Sequence, residues 1–291
     1  MSIVDVASRG RTVFRELSYF PYLLLPLNLR VPWSELDYGN YDSTWDAVGA
    51  AAEAVVPFYR AFSGIPHIPV VMPPRESSLL GQPEGEELWF FLNGICTNKD
   101  VLRLNGEALA SIFGRRISLL HNPSDGVVLG LLECAAGRTA ELFEPVSRSV
   151  ADILEMALSS GRKVVLIAHS QGGIISAKAI NHLHAKLSGS DRELLRRLEL
   201  YTFASAATRL DAPEIHAEHF YNTRDYVARI GVAGYEDQIS GRFFKADATG
   251  HLLNAHYLNH LVADHYRPGD GGGPSRLMGY RVVTKKPEPE A

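Results

Sequence analysis

Cysteine is nearly missing from this 291-residue chain, which has only Cys96 and Cys134. Two thiols make no disulfide framework, and such sparing use fits a reducing compartment. A basic excess is missing too. Lysine and arginine total 29 against 33 aspartates and glutamates, for a formal net charge of −4, so nucleic acid is not an expected partner. The apolar run Tyr19 to Leu29 is too short to span a bilayer and contains Pro21 and Pro26. Met1 to Gly10 carries Asp5 and has no apolar core behind a basic start. It does not read as a signal peptide, and a cytoplasmic location is the expectation. No internal repeat, G-x-G-x-x-G or P-loop pattern is found, so no nucleotide cofactor is indicated. The pairs His256/His260 and His216/His219 have spacings that can bind zinc on a helix. However, H-E-x-x-H is lacking and the cysteines are remote in sequence, so no metal is expected.

What the chain does have is a globular balance, 46% hydrophobic and 21% charged, enough to bury a substantial core. Residues 1–85 read as an N-terminal arm packing on that core. Ser43 or Thr44 can cap a helix running through Phe62. Ile68 to Met72 reads as a short strand, and Pro73 to Gly85 as a linker. Within the arm, Tyr19 to Leu29 either packs on the domain surface or forms a lipid-touching interfacial patch.

From residue 86 to 267 strand-like and helix-like patterns alternate. The strands are Leu88 to Leu92, Arg116 to Leu120, Lys163 to Ala168, Leu198 to Phe203, His219 to Asn222 and Arg242 to Phe244. The helices are Val101 to Phe113, Thr139 to Ser159 and Gly173 to Leu187. This alternation predicts an α/β fold, a mainly parallel sheet with helices on both faces. In such sheets sites form at the C-terminal ends of the strands. Residues 268–291 read as a tail rich in glycine and proline. Gly126 to Gly137 is apolar and reads as either a core helix or a cap over an acyl pocket.

The stretch Val164-Val165-Leu166-Ile167-Ala168-His169-Ser170-Gln171-Gly172-Gly173 carries the chemistry. A buried strand runs into a sharp turn and then a helix, with a serine at the apex. The spacing is that of the nucleophile elbow, with Ala168 in place of the first glycine. Small residues at 168 and 172 let the turn close. A serine hydroxyl is a poor nucleophile until a base removes its proton and a carboxylate orients that base. Asp225 follows a short strand and is the candidate acid, with Asp211 the runner-up. His251 follows Gly250 in the loop after the last predicted strand and is the candidate base; His256 is the alternative. His169, beside the serine, is assigned a packing or hydrogen-bonding role. An oxyanion hole needs two backbone N–H groups. Gln171 is one candidate, and Ile95 or its neighbour Cys96, after Asn93-Gly94, is the other. Asn93 is placed to brace that loop.

Assembled, these residues resemble the α/β-hydrolase superfamily of serine esterases and lipases. Tyr201-Thr202-Phe203-Ala204-Ser205, followed by Asn222-Thr223-Arg224-Asp225-Tyr226-Val227, is similar to class 3 lipases, with Ala204 where those have glycine. The resemblance implies an α/β-hydrolase fold and a catalytic set of Ser170, Asp225 and a downstream histidine. The expected reaction is hydrolysis of a carboxylic ester without a cofactor, and the apolar chain near the site points to a small-molecule or lipid-like ester as substrate. Two other readings fit the same residues. One is an acyltransferase or thioesterase. The other is a non-catalytic binding protein of the same fold.

Overall fold

The computed structural model describes residues 15–41, 43, 70–72, 87–94, 97, 99–122 and 144–282. The expected helix through Phe62, the linker, Ile95, Cys96, the apolar stretch 126–137 and residues 283–291 lie outside the described residues. Among the described residues the strands form one eight-stranded sheet in the order β1-β3-β2-β4-β5-β6-β7-β8. These strands are β1 (Val70–Met72), β2 (Glu87–Leu92), β3 (Ile117–His121), β4 (Lys163–His169), β5 (Leu198–Phe203), β6 (His216–Asn222), β7 (Arg242–Ala246) and β8 (Arg267–Pro268). β2 to β7 run parallel, while β1 and β8 are antiparallel to their neighbours.

β4 lies at the centre and is buried on both faces, as its continuous apolar run requires. Its period of two divides the core. Val164, Leu166 and Ala168 join α2 (Glu144–Ser159) and α3 (Gln171–Lys186) on one face. Val165 and Ile167 join α1 (Lys99–Phe113), Tyr257 and Leu261 on the other. Burial of each large apolar side chain contributes roughly 1.5–3 kcal/mol, so both helical layers are held by the alternation in one strand.

Two elements depart from the sequence expectation. β6 begins at His216, three residues before the predicted strand. Its first turn of sequence is polar, but Glu218 is fully buried because Ser275 and the backbone N–H of Arg276 donate to it. The second departure is the segment read as a tail, which is docked as far as Val282. It contributes β8 and a helical turn, Arg276–Gly279, and Leu277 is fully buried. Among the described residues, no helix is long and apolar enough to cross a membrane.

Candidate active site

The site lies at the C-terminal ends of β4, β6 and β7. Ser170 terminates β4 and opens α3 with φ 55° and ψ −121°. This left-handed conformation is costly for a residue with a Cβ and is found where the fold overdetermines it. The overdetermination is visible on both sides of the turn. The Ser170 N–H donates to Phe203 O at 2.9 Å, and its carbonyl accepts from Gly173 N and Ala206 N. A Cβ on Gly172 would sit 2.6 Å from Leu92 O, and one on Gly94 would sit 2.7 Å from Ser170 Cβ. The neighbouring strand end therefore presses directly against the serine. Ala204 also has positive φ, 51°, at the position where the lipase-like pattern has glycine.

The hydroxyl of Ser170 lies 2.9 Å from His251 Nε2, and His251 Nδ1 lies 2.8 Å from Asp225 Oδ2. With Nδ1–H donating to the carboxylate, Nε2 is left to accept the serine proton. Asp225 is fully buried and has donors on both oxygens. Val227 N–H donates to Oδ1 at 2.9 Å, which caps the short helix α4 (Tyr226–Ile230), and the Tyr257 hydroxyl donates to Oδ2 at 2.7 Å. Burial beside that carboxylate pushes the Tyr257 phenol far above its ordinary value, so it remains a donor.

The two other histidines nearby have different partners. His169 Nε2–H donates to the backbone oxygen of His251 at 2.8 Å, and its ring centroid lies 4.9 Å from that of His251. Burial pushes the His169 imidazole down to about 3, so it is a neutral support beneath His251. His256 accepts from Leu252 N–H through Nδ1 and donates to Pro26 O through Nε2. Both nitrogens are engaged away from Ser170. Asp211 is half-exposed and pairs with Arg209 at 2.5 Å.

Gln171 is the first residue of α3, where backbone N–H groups have no acceptor within the helix. Its side chain is fixed by Asn122 Nδ2 at 2.9 Å. Asn93 accepts from Asn122 N–H and donates to Asn122 O and Gly94 O, which ties the ends of β2 and β3 beside the elbow. Ile95 lies outside the described residues. Among the described residues no group of three or more His, Cys, Asp or Glu is placed to hold a metal.

Sequence reasoning missed two members of the site. Asn222, at the end of β6, donates to Thr249 O and Gly250 O and accepts from His260 and Tyr266. It thereby links the strand that leads to Asp225 to the loop that carries His251. Tyr257 also donates to Asp225, and its only sequence signal is an aromatic six residues after His251. Neither role is visible until the loop folds back on β6.

A central parallel sheet with a strained serine between β4 and α3, and an acid and a histidine on later loops, defines the α/β-hydrolase fold. Residues 131–210, which include the elbow but neither Asp225 nor His251, match the family "Putative serine esterase (DUF676)". No curated protein matches the chain. Among solved structures the chain is similar to the dienelactone hydrolase of Anabaena variabilis, with 14% identity, 68% of this chain and 97% of that one covered, and a TM-score of 0.37. It is similar to the RedJ thioesterase of the prodiginine pathway of Streptomyces coelicolor, at 14% identity, 76% and 91% coverage and 0.37. A third is the cutinase of Trichoderma reesei, at 17% identity, 60% and 76% coverage and 0.32.

Proposed function

We propose that the protein is a cofactor-independent serine hydrolase that cleaves carboxylic esters. The observation that carries this reading is the hydrogen-bonded chain from Ser170 Oγ through His251 to Asp225, set at a strained elbow. The family match over the elbow supports it. Ser170 Oγ attacks the ester carbonyl carbon while His251 Nε2 takes the hydroxyl proton. Asp225 Oδ2 holds the imidazolium that results. The tetrahedral oxyanion is received by the N–H of Gln171 and, from the loop after Gly94, by that of Ile95; one such donor is worth roughly 10²–10³ in kcat. Collapse of the intermediate expels the alcohol, which takes its proton from Nε2. Water then hydrolyses the acyl-enzyme by the same proton path and releases the acid.

Lipid-like esters are the proposed substrates, with peripheral membrane contact through residues 19–29. Leu24, Leu25 and Leu27 are exposed on the segment that lies against the His251 loop, which gives the site an apolar margin. Labelling with a fluorophosphonate probe, followed by peptide mapping, tests the reading. The adduct is expected on Ser170 in the wild type and nowhere in Ser170→Ala. An unlabelled, folded wild type would defeat it. A panel of esters of increasing chain length then tests the substrate class, and added alcohols reveal acyl transfer if products other than the free acid accumulate.

A further inference from the structure

Residues 16–35 of the N-terminal arm attach to the two elements that carry Asp225 and His251. At one end, the helical turn Leu17–Tyr22 lies on α4. Phe20 packs edge-on against Tyr226 with ring centroids 5.6 Å apart, and Arg229 of α4 is paired with the buried Glu16 while its guanidinium lies 4.2 Å over the Tyr19 ring. From there the chain crosses to the base loop and binds it mostly with main-chain carbonyls. His251 N–H itself donates to Leu23 O at 2.8 Å, Thr249 Oγ1 to Leu25 O at 2.8 Å, and His256 Nε2 to Pro26 O at 2.8 Å. Asn28 Nδ2 donates to Ala255 O at 2.8 Å. At the far end Glu35 places one carboxylate oxygen on Asn254 N–H at 2.7 Å and the other on Ala255 N–H at 2.9 Å. These two N–H groups belong to the π-helical turn Leu253–Leu258 that follows His251.

The base loop is thus held from outside on both flanks of the histidine. Nothing in β7 supplies these bonds, and an imidazole displaced by 1 Å loses about 100-fold in rate. We propose that residues 16–35 act as a built-in clamp that fixes the base loop against the acid loop, with Glu35 as a positioning residue for His251. The inference rests on the reading of His251 as the base. It assigns the arm a task in the reaction without bringing it into contact with the substrate.

Glu35 is an acid held against two backbone N–H groups. Burial raises its carboxyl above the ordinary range, while the two N–H groups and the positive charge of His251 oppose that rise. Tyr41, whose phenol is pushed up to about 12 by burial and by the charges of Glu35 and Asp100, faces it from the arm itself. His251 in turn faces Asp225, His169 and His256.

Steady-state hydrolysis of p-nitrophenyl butyrate by the full chain tests the clamp in Glu35→Gln and in Thr249→Val, a milder change that keeps the Glu35 charge. The expected result for Glu35→Gln is a 10- to 100-fold fall in kcat with KM within about twofold, and Thr249→Val is expected to lose several-fold in kcat. A role in stability alone would lower the melting temperature and leave kcat per folded molecule unchanged, which overturns the proposal. NMR of the His251 ring separates this from failure of the hydrolase reading, because it needs no turnover. If the wild type hydrolyses no ester, loss of the Nδ1 proton signal of the His251–Asp225 hydrogen bond in Glu35→Gln still supports the clamp, and an unchanged signal refutes it.

Discussion

Ser170 holds a backbone conformation that costs about 1–3 kcal/mol for a residue other than glycine. That cost gives a test at the level of one residue. Ser170→Gly is expected to raise stability by about 1 kcal/mol in urea unfolding, while Ser170→Ala keeps the strain and leaves stability nearly unchanged. Both are expected to lower kcat by roughly 10⁴-fold or more. The histidines separate by the same logic. His251→Ala is expected to lose turnover with the fold intact. His256→Ala leaves the Leu252 N–H and the Pro26 carbonyl without partners, so its main effect is a loss of about 1–3 kcal/mol in stability. Equal losses of kcat in the two variants would contradict this division. Tyr257→Phe removes a donor from Asp225 and an acceptor from Asn222 N–H. It is expected to lower both stability, by a similar amount, and kcat.

At the scale of elements, the site is made by strand ends rather than by any one segment. β4 leads to Ser170, β6 to Asp225 and β7 to His251. The parallel pairing from β2 to β7 brings these ends to one edge of the sheet, with Ala168 beside Thr202 and Leu92. The alternation of apolar runs with helical patterns made this arrangement legible from sequence, as did the small residues around Ser170. The packing of β2 against the elbow was not legible, because Asn93-Gly94 looks like any turn. Gly94→Ala would place a methyl group 2.7 Å from Ser170 Cβ. It is expected to slow fluorophosphonate labelling by about 100-fold with the circular dichroism spectrum unchanged; labelling at the wild-type rate would show that the strand end can move aside.

At the scale of the whole molecule, the end of the sheet opposite the site is closed by the C-terminal segment. Glu199 on β5 is paired with Lys163 at 2.8 Å and Arg276 at 2.6 Å, and it accepts from Tyr201 and Tyr280. Glu218 on β6 is bound by His216, Ser275 and the N–H groups of Arg276 and Leu277. Truncation after Pro274 removes Ser275, Arg276 and Tyr280 from these buried carboxylates and is expected to cost about 3–5 kcal/mol, read from urea unfolding at pH 7. Burial opposes ionisation of both groups, but their donors outweigh it and hold both carboxyls below the ordinary 4.5. A carboxyl depressed in the fold contributes stability above its unfolded value and loses it as pH falls through the folded value. Unfolding free energy is therefore expected to fall as pH drops below about 4.5, and the truncated chain is expected to show less of this dependence.

The sequence by itself determined the local features, because they rest on short-range chemistry. An apolar run long enough for one buried strand, small residues flanking Ser170 and a turn before Asp225 each act within a few positions. It also narrowed the candidate base to His251 and His256, five residues apart. Only the tertiary structure decided between their settings, through Pro26 and Leu23, residues more than 200 positions away. The same holds for the buried polar groups of β5 and β6, which look like solvent-facing residues until the chain end arrives to bond them. Burial of a carboxylate or an imidazole is decided by its partners, and those partners come from parts of the chain that local pattern does not connect.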